Sequence, residues 1–310
     1  MIVVFGSLNI DLVARVPVLP SAGETVLGPG YAVVPGGKGA NQALAARRAG
    51  AEVVMVGAVG RDGFAETALG ALAEAGVDIT RVARAEAPTG AAFIAVDAAG
   101  RNQIVVAAGA NAQASAASLD DLPAGDGDIL MLQWEVPEAE ILTAARWARS
   151  RGLKVLLNRA PAGPVPAALL ALVDVIIVNE HEVLALAENL DLASRDVETI
   201  ASEIDRRLKV TTIVTLGAEG AVAWGGGVRC PVPALKVDVV DTTAAGDAFC
   251  GAFAAALAQG RGLTSAVEYG SAAGSLACTR FGAQPSLPGR AAIEQGAALL
   301  ATRDIPLASQ

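Results

Sequence analysis

The stretch Glu52-Val53-Val54-Met55-Val56-Gly57-Ala58-Val59 is apolar from its second residue onward, and an amphipathic stretch follows it at residues 63–75. An apolar run of this length is typical of a strand that is buried on both faces of a sheet. Parallel strands are buried in this way because the helices that connect them cover both faces. This stretch therefore indicates one strand and one covering helix of an α/β fold.

The same alternation extends along the chain. Further strand-like runs occupy residues 2–5, 128–133, 153–157, 174–178 and 212–216. Helical patterns occupy residues 38–49, 137–149 and 197–208, and after residue 240 they occupy 244–258, 263–280 and 289–301. Crossovers between parallel strands are almost always right-handed. The pattern therefore predicts an α/β fold with three α/β/α layers, built on a doubly wound, mostly parallel sheet.

Two regions interrupt this rhythm. Residues 11–35 are extended and rich in proline and glycine, and residues 89–108 contain two β-like runs, Ala91–Val96 and Gln103–Ala107. An Asp-Ala-Ala-Gly segment joins the two runs, which is a hairpin signal. We predict a small antiparallel β sheet that forms a lid, made by two insertions into a single domain spanning residues 1–310.

Composition excludes several classes of protein. The hydrophobic fraction is 53% and mean hydropathy is +0.47, so the chain as a whole is not disordered. Aromatic residues make up 4% and the net charge is −9, with no basic run, which argues against nucleic acid as a partner. No signal-peptide pattern opens the chain, and no apolar run approaches the roughly 18–20 residues that span a bilayer. We expect no membrane partner and a cytoplasmic location.

Histidine and cysteine are scarce. His181 is the single histidine, and Cys230, Cys250 and Cys278 are widely spaced. A serine–histidine triad or a multi-histidine metal site is therefore not expected, and the cysteines form neither a metal pair nor a disulfide framework. We expect reduced thiols and no role for His181.

The segment that runs from Val240 to Phe253, VDTTAAGDAFCGAF, leads from an extended run into an apolar helix. Ala244, Ala245 and Gly246 leave the backbone open, so their N–H groups at the helix start can form an anion hole for a phosphate in transfer. Asp247 lies in the first turn and can take a proton from an attacking hydroxyl. The alternative is a helix-capping aspartate, which is common at such positions.

Two other segments carry polar residues near glycines or strand ends. Pro35-Gly36-Gly37-Lys38-Gly39-Ala40-Asn41-Gln42 allows the backbone to approach a ligand closely, but it lacks the Gly-Lys-Ser/Thr ending of a Walker A loop. By itself it could equally be a glycine-rich turn. Gly6-Ser7-Leu8-Asn9-Ile10-Asp11 follows the first strand, where open α/β sheets bind ligands. Asn9 and Asp11 alternate with Ile10, so both can face one side and bind hydroxyl groups.

The turn Val56-Gly57-Ala58-Val59-Gly60-Arg61-Asp62-Gly63 lies between a strand and a helix and superficially resembles a dinucleotide fingerprint. Its glycine spacing is Gly-x-x-Gly-x-x-Gly rather than Gly-x-Gly-x-x-Gly. It leaves a nicotinamide-dependent oxidoreductase as a remote alternative.

With these residues in place, the sequence resembles the ribokinase-like (PfkB) family of carbohydrate kinases over nearly the whole chain. The Gly36–Gln42 and Asp241–Gly251 motifs carry the resemblance, because they occur in the family's order about 200 residues apart. Further matching segments lie at residues 23–26, 108–112, 131–135, 179–182, 215–217 and 279–286.

The resemblance implies a role for each matching residue. Asp247 is the catalytic base, and Ala244, Ala245 and Gly246 form the anion hole. The sugar hydroxyls are held by Asn9, Asp11, Gly37, Lys38, Asn41 and Glu135. The ATP site is lined by Asn179, Glu182, Thr215, Gly217, Gly220, Gly246 and Ser271, with Glu182 helping to place Mg²⁺ and its waters. A monovalent-cation (K⁺) site is surrounded by Asp241, Thr243, Ala277, Arg280, Gly282 and Ser286.

The implied reaction is ATP-dependent phosphorylation of a primary hydroxyl, with D-ribose giving D-ribose 5-phosphate. Alternatives are a related kinase for deoxyribose, fructose, 2-keto-3-deoxygluconate or a nucleoside, and a non-catalytic sugar sensor on the same fold. Three residues depart from the family pattern: Ile10 replaces a smaller residue, Arg159 a proline, and Ser271 a larger base-stacking residue. An exposed edge on the lid sheet suggests a homodimer through the lid.

Overall fold

The computed structural model describes residues 1–302. Its strands are β1 (Ile2–Phe5), β2 (Asn9–Arg15), β3 (Tyr31–Gly36), β4 (Val53–Val59), β5 (Asp78–Arg84), β6 (Gly90–Val96), β7 (Asn102–Ala107), β8 (Ile129–Leu132), β9 (Lys154–Asn158), β10 (Val175–Asn179), β11 (Thr211–Thr215), β12 (Ala221–Gly225) and β13 (Val228–Val232). Its α-helices are α1 (Lys38–Arg48), α2 (Gly63–Glu74), α3 (Glu138–Ser150), α4 (Ala167–Leu170), α5 (Glu180–Asn189), α6 (Val197–Leu208), α7 (Ala245–Ala258), α8 (Leu263–Ala277) and α9 (Arg290–Ala301).

Nine strands form the large sheet in the order β13-β12-β11-β10-β9-β8-β1-β4-β5. Neighbouring strands are parallel from β5 to β11, and β12 and β13 add an antiparallel edge. From β1 the chain first builds outward through β4 and β5 and then returns to the other side of β1 with β8. The strand order therefore reverses between β1 and β8, and open α/β sheets bind ligands at the carboxyl ends of strands at such a point.

The predicted fold class is confirmed, and the six predicted strands of the large sheet are present. Three outer strands, the edge strands β5 and β13 and the strand β12 beside β13, were not predicted. Strand β5 carries Asp78, Arg81 and Arg84 and alternates between exposed and half-buried positions, so it lacks the apolar run of a central strand. Polar residues on edge strands are common because they discourage pairing with other chains.

Two hydrophobic cores cover the two faces of the large sheet. One core joins the sheet to helices α1, α2, α7, α8 and α9, and the other joins it to α3, α4, α5 and α6. Alanine supplies much of the first core, so α7 packs closely against both α1 and α8. None of the helices in residues 1–302 combines the length and the hydropathy that a membrane span requires.

The small sheet has the order β3-β2-β6-β7. The outer pairs are antiparallel, as predicted for the lid, and the central pair β2–β6 is parallel, which was not predicted. A short hairpin turn joins β6 to β7 and forces them to be antiparallel. Between β2 and β6 the chain passes through β3, α1, β4, α2 and β5, which is long enough for β6 to return in the same direction.

The glycine turn after β4 serves packing and helix capping. A Cβ at Gly57 would lie 2.6 Å from the main-chain oxygen of Gly6, and one at Gly60 would lie 2.5 Å from the nitrogen of Thr89. Asp62 caps α2 by accepting hydrogen bonds from the N–H groups at its start, and it also accepts from Thr89 N–H at 2.7 Å. A carboxylate already occupies this helix terminus, so the turn is not a pyrophosphate site.

Candidate active site

Glu135 and the start of α1 lie at the point between β1 and β8 where the strand order reverses. Ser7 Oγ donates to Glu135 Oε2 at 2.5 Å, and the Lys38 N–H donates to the same oxygen at 3.1 Å. Gly37 lies before α1 with φ = 91°, and a Cβ there would lie 2.7 Å from the nitrogen of Asn9. A residue with a side chain is therefore excluded at this position, and the backbone of the motif lies directly against the end of β1.

The first strand of the small sheet carries two of the predicted sugar-binding residues. Asn9 Oδ1 accepts from Asn111 Nδ2 at 2.7 Å, which fixes the orientation of the Asn9 amide. Burial, with a smaller contribution from Glu135 and then Asp247, raises the pKa of Asp11 to about 6. Three carboxylates thus face one space, which suits a ligand rich in hydroxyl donors.

Asp247 is 7% exposed and lies in the first turn of α7. Its carboxylate accepts from Asn41 Nδ2 and from Gln42 Nε2, both at 2.9 Å. Burial raises the pKa of Asp247, while Lys38 and the two amide donors oppose that rise. Asn41 Oδ1 is buried and has no partner within residues 1–302, so it remains available to accept from a ligand hydroxyl.

The start of α7 presents main-chain donors beside this carboxylate. Ala244 has φ = 60°, a left-handed conformation that is rare for alanine. It changes the direction of the chain at the start of α7. Within the described residues, the N–H groups of Gly246 and Asp247 make no hydrogen bond, whereas the Ala245 N–H donates to Thr242 at 3.2 Å. The structure thus leaves Gly246 open as an anion-hole donor and gives Ala245 a weak internal partner.

Two cavities meet at this helix terminus. The larger, of about 880 Å³, lies over α8 and the end of β11. It is lined by the predicted nucleotide-site residues Asn179, Thr215, Gly217, Gly220, Gly246 and Ser271, and by the exposed His181. The smaller, of about 220 Å³, is lined by Lys38, Glu182, Ala244, Ala245, Gly246 and Asp247. Asp247 therefore lies where the smaller cavity connects the sugar-site residues to the larger cavity.

Asn179 and Glu182 form a capping box at the start of α5. Asn179 N–H donates to Glu182 Oε2 at 2.8 Å, and Glu182 N–H donates to Asn179 Oδ1 at 2.9 Å. Burial raises the pKa of Glu182, and the Asn179 hydrogen bond, Lys38 and Arg159 oppose it. One carboxylate oxygen of Glu182 remains for a hydrated cation in the smaller cavity.

Three of the six predicted monovalent-cation residues, Asp241, Thr243 and Gly282, are joined by hydrogen bonds just before α7, and Ala277 and Ser286 are buried. Asp241 Oδ1 accepts from the N–H and hydroxyl of Thr243 at 2.9 and 2.6 Å, and Oδ2 accepts from Gly282 N–H at 2.9 Å. Burial opposes ionisation, but these bonds outweigh it and lower the pKa of Asp241. The main-chain oxygens of Thr243 and Gly282 accept no hydrogen bond within residues 1–302. The Arg280 side chain is exposed.

The three departures from the family pattern occupy distinct places. Ile10 is fully buried in the core and, by strand alternation, points away from the side chains of Asn9 and Asp11. Arg159 is 1% exposed, and its guanidinium stacks 4.2 Å from the ring centre of Trp134. Burial lowers the pKa of Arg159 to about 10. Ser271 lies on the nucleotide cavity wall, and its hydroxyl has no partner within the described part of the chain.

Several residues around the base were not predicted from the sequence. Ser7 holds Glu135, Asn111 holds Asn9, and Gln42 holds Asp247. Ser7 lies in the polar segment after the first strand, whereas Asn111 and Gln42 lie in segments that match the family. The available signal was a polar residue inside an otherwise apolar motif, but spacing alone does not say which polar residues point inward.

Comparison with known proteins agrees with this geometry. The model of the "pfkB family carbohydrate kinase" matches residues 1–290. The chain is 37% identical to a ribokinase of Haemophilus influenzae, covering 93% of this chain and 95% of that protein. It is 40% identical to a ribokinase of Lactococcus lactis, covering 92% and 93%. A deoxyribokinase of Salmonella typhi is 33% identical over similar coverage.

Solved structures are also similar over their full length. The crystal structure of ribokinase from Thermotoga maritima has a TM-score of 0.88 at 36% identity and covers 96% of this chain and 98% of its own. A ribokinase of Arabidopsis thaliana complexed with ribose and ATP has a TM-score of 0.85 at 28% identity, with the same coverage. The resemblance drawn from the two motifs is confirmed, and the chain belongs to the pfkB family of carbohydrate kinases.

Proposed function

We propose that this carbohydrate kinase transfers the γ-phosphate of ATP to the primary hydroxyl of D-ribose, giving ADP and D-ribose 5-phosphate. The observation that carries the proposal is the placement of Asp247. It is a buried carboxylate at a helix terminus where the Gly246 and Asp247 N–H groups have no acceptor within residues 1–302, between the sugar-site residues and a cavity of about 880 Å³. Ribokinases of similar sequence, and a ribokinase structure complexed with ribose and ATP, support the choice of both substrates.

At the sugar, Asn9, Asp11 and Asn41 bind the hydroxyls, and Glu135 and Lys38 complete the pocket. Asn41 Oδ1, buried and unpartnered within residues 1–302, accepts from one of them. Asp247 takes the proton from the attacking hydroxyl as that oxygen bonds to phosphorus. The position of Ile10 in the core removes one reason to expect a different sugar.

At the phosphate, the Gly246 N–H and the positive end of α7 stabilise the negative charge that is transferred. Lys38 lines the smaller cavity and contributes a full positive charge. Closure of the small sheet over the sugar excludes water, which otherwise competes as the acceptor.

Two cations complete the site. Glu182 would hold Mg²⁺ and its water shell through the carboxylate oxygen that accepts no hydrogen bond within residues 1–302, since magnesium reaches such sites through few carboxylates. Thr243 and Gly282, which Asp241 holds together, would hold potassium through their main-chain oxygens, and the bound cation would help to order the anion hole. The potassium site is tested by comparing turnover rates in potassium and in sodium at equal ionic strength. Equal rates would refute it.

The substrate assignment is tested by coupled ATP turnover with ribose, 2-deoxyribose, fructose, 2-keto-3-deoxygluconate and nucleosides. We expect kcat/KM for ribose to exceed that for every other acceptor. A preference for 2-deoxyribose would identify a related kinase with a different sugar specificity. No turnover with any acceptor would favour a non-catalytic sugar sensor.

We also propose that the small sheet pairs two copies of the chain. Along β7 every residue is exposed, including Ile104, Val105 and Val106, and Phe93 on β6 is 51% exposed. An apolar strand edge of this kind favours pairing. Light scattering should give a dimer that Val105→Lys converts to a monomer; a monomeric parent protein would refute the pairing.

We also propose a cytoplasmic location, which the free cysteines support.

A further inference from the structure

A buried chain of amide side chains leads from the large sheet to the base. Asn158 Nδ2 donates to the main-chain oxygen of Ile177 at 3.1 Å. Asn158 Oδ1 accepts from Gln42 Nε2 at 2.9 Å, and the same nitrogen donates to Asp247 Oδ1 at 2.9 Å. Gln42 Oε1 in turn accepts from Gln133 Nε2 at 2.8 Å. Gln42 is therefore the point where the chain meets the carboxylate.

The direction of every bond in this chain follows from its first member. A main-chain carbonyl only accepts, so Asn158 must turn its nitrogen to Ile177 and its oxygen to Gln42. Gln42 must then turn its nitrogen toward both Asn158 and Asp247. The donor from Gln133 to Gln42 Oε1 reinforces this orientation. Asp247 consequently always meets an N–H donor and never an amide oxygen.

Burial makes this orientation costly to reverse. Gln42 and Gln133 are 0% exposed and Asn158 is 8% exposed. If the Gln42 amide turned around, its oxygen would face the oxygens of Asn158 and Asp247, and these buried acceptors would lose their donor. Water has no access to Gln42 to replace it.

We propose that Gln42 is a positioning residue that fixes the Asp247 carboxylate in its ionised, proton-accepting form. This inference rests on the proposed function, since it assumes that Asp247 is the base. Gln42 does not bind substrate, because its nitrogen and its oxygen are already engaged by three buried side chains. It acts through Asp247.

Other groups that influence Asp247 lie on several surrounding elements. Lys38 on α1 favours its ionised form, and Glu135, which follows β8, opposes it. Asp11 on β2, Glu182 on α5 and Cys250 on α7 also face it. Replacing Gln42 by a neutral residue leaves these titratable groups unchanged, so a change in the behaviour of Asp247 reports on the loss of the Gln42 amide and its three hydrogen bonds.

The test is the pH profile of kcat for Gln42→Met at saturating ribose and ATP. Loss of a donor to the carboxylate raises the pKa of Asp247, so the acid limb of the profile should move to higher pH by about one unit. The fall in kcat should therefore be larger at pH 6 than at pH 9, while KM for ribose changes less than about threefold. Gln259→Met, at the far end of α7, is the matched control.

Gln133→Met provides a second variant if Gln42→Met does not fold. It keeps the Gln42 donor but removes the Gln133 donor that reinforces its orientation, so a smaller shift in the same direction is expected. An acid limb unchanged from the parent enzyme in the folded variants would overturn the inference and leave Gln42 a packing residue. Asp247→Asn separates the two proposals, because normal turnover in that variant would refute the base itself.

Discussion

At the sugar end of the crevice, which comprises Asp247 and the residues around Asn9, Asn41 and Glu135, polar groups are buried and mostly bonded to one another. At the nucleotide end, which comprises the start of α7 and the larger cavity, the N–H groups of Gly246 and Asp247 have no acceptor within residues 1–302, and Gly246 lines the cavity. The difference indicates that the side chains at the sugar end are in position before the sugar binds. At the nucleotide end, the N–H groups gain their acceptors only when the ligand binds.

The largest effect should come from Asp247→Asn, which keeps the shape of the side chain and removes the base. We expect kcat to fall about 10³-fold or more, since general-base catalysis contributes roughly 10²–10⁴-fold and the amide also disrupts its donors. Ribose affinity, measured by calorimetry, should change less than about threefold. Near-normal turnover would mean that the buried end of the crevice does not carry the chemistry.

Asp11→Asn should weaken sugar binding at the same end. We expect KM for ribose to rise about 10- to 100-fold with a smaller change in kcat, because an acceptor for sugar hydroxyls is lost. KM for ATP should stay within about twofold, which ties the effect to the sugar end. A parallel rise in both KM values would contradict the separation of the two ends.

The same variant tests the electrostatic cost of the sugar end. Asp11 has a pKa of about 6 in the folded protein, above its ordinary value of 3.8. The folded state therefore binds this proton more tightly, so ionised Asp11 lowers stability above about pH 6, and this cost vanishes below about pH 4. Asp11→Asn should raise Tm at pH 8 by about 2 °C or more and leave Tm unchanged at pH 4. A lower Tm at pH 8 would contradict this assignment.

Gly39→Ala and Gly246→Ala form a matched pair across the two ends. A Cβ at Gly39 would lie 2.6 Å from the nitrogen of Ser7, against backbone that cannot move easily. We expect Gly39→Ala to destabilise the fold by about 1–3 kcal/mol in denaturant unfolding. Unchanged stability would show that the sugar end is less rigid than its hydrogen bonds indicate.

The smallest effect should follow Gly246→Ala. A Cβ at this position meets no atom within 4 Å, so the stability of the unliganded protein should stay the same or rise by about 0.5–1 kcal/mol. The added methyl narrows the approach of a phosphate to the helix terminus, and KM for ATP should rise about threefold to tenfold. An unchanged KM for ATP would place the phosphate elsewhere.

Much of this molecule was predictable because its signals are local. The continuous apolar runs predicted the central strands, and the two glycine motifs predicted where α1 and α7 begin. The parallel pairing of β2 with β6 was not predictable in this way. Their turns and flanking residues carry no information about a partner about 80 residues away, so the sequence predicted the antiparallel character of the small sheet but not this parallel pair.

The sequence by itself determined the family and the kinds of groups at the site: a carboxylate at a helix start, an amide after a glycine pair, and polar residues after the first strand. Only the tertiary structure decided how they act together. Asp247 and Gln42 are 205 residues apart, and their bond exists because α1 and α7 pack on the same face of the sheet. Burial at this contact determines which end of the Gln42 amide faces Asp247. It also determines how strongly the negative charge of Asp247 is opposed. Burial is a property of the assembled fold.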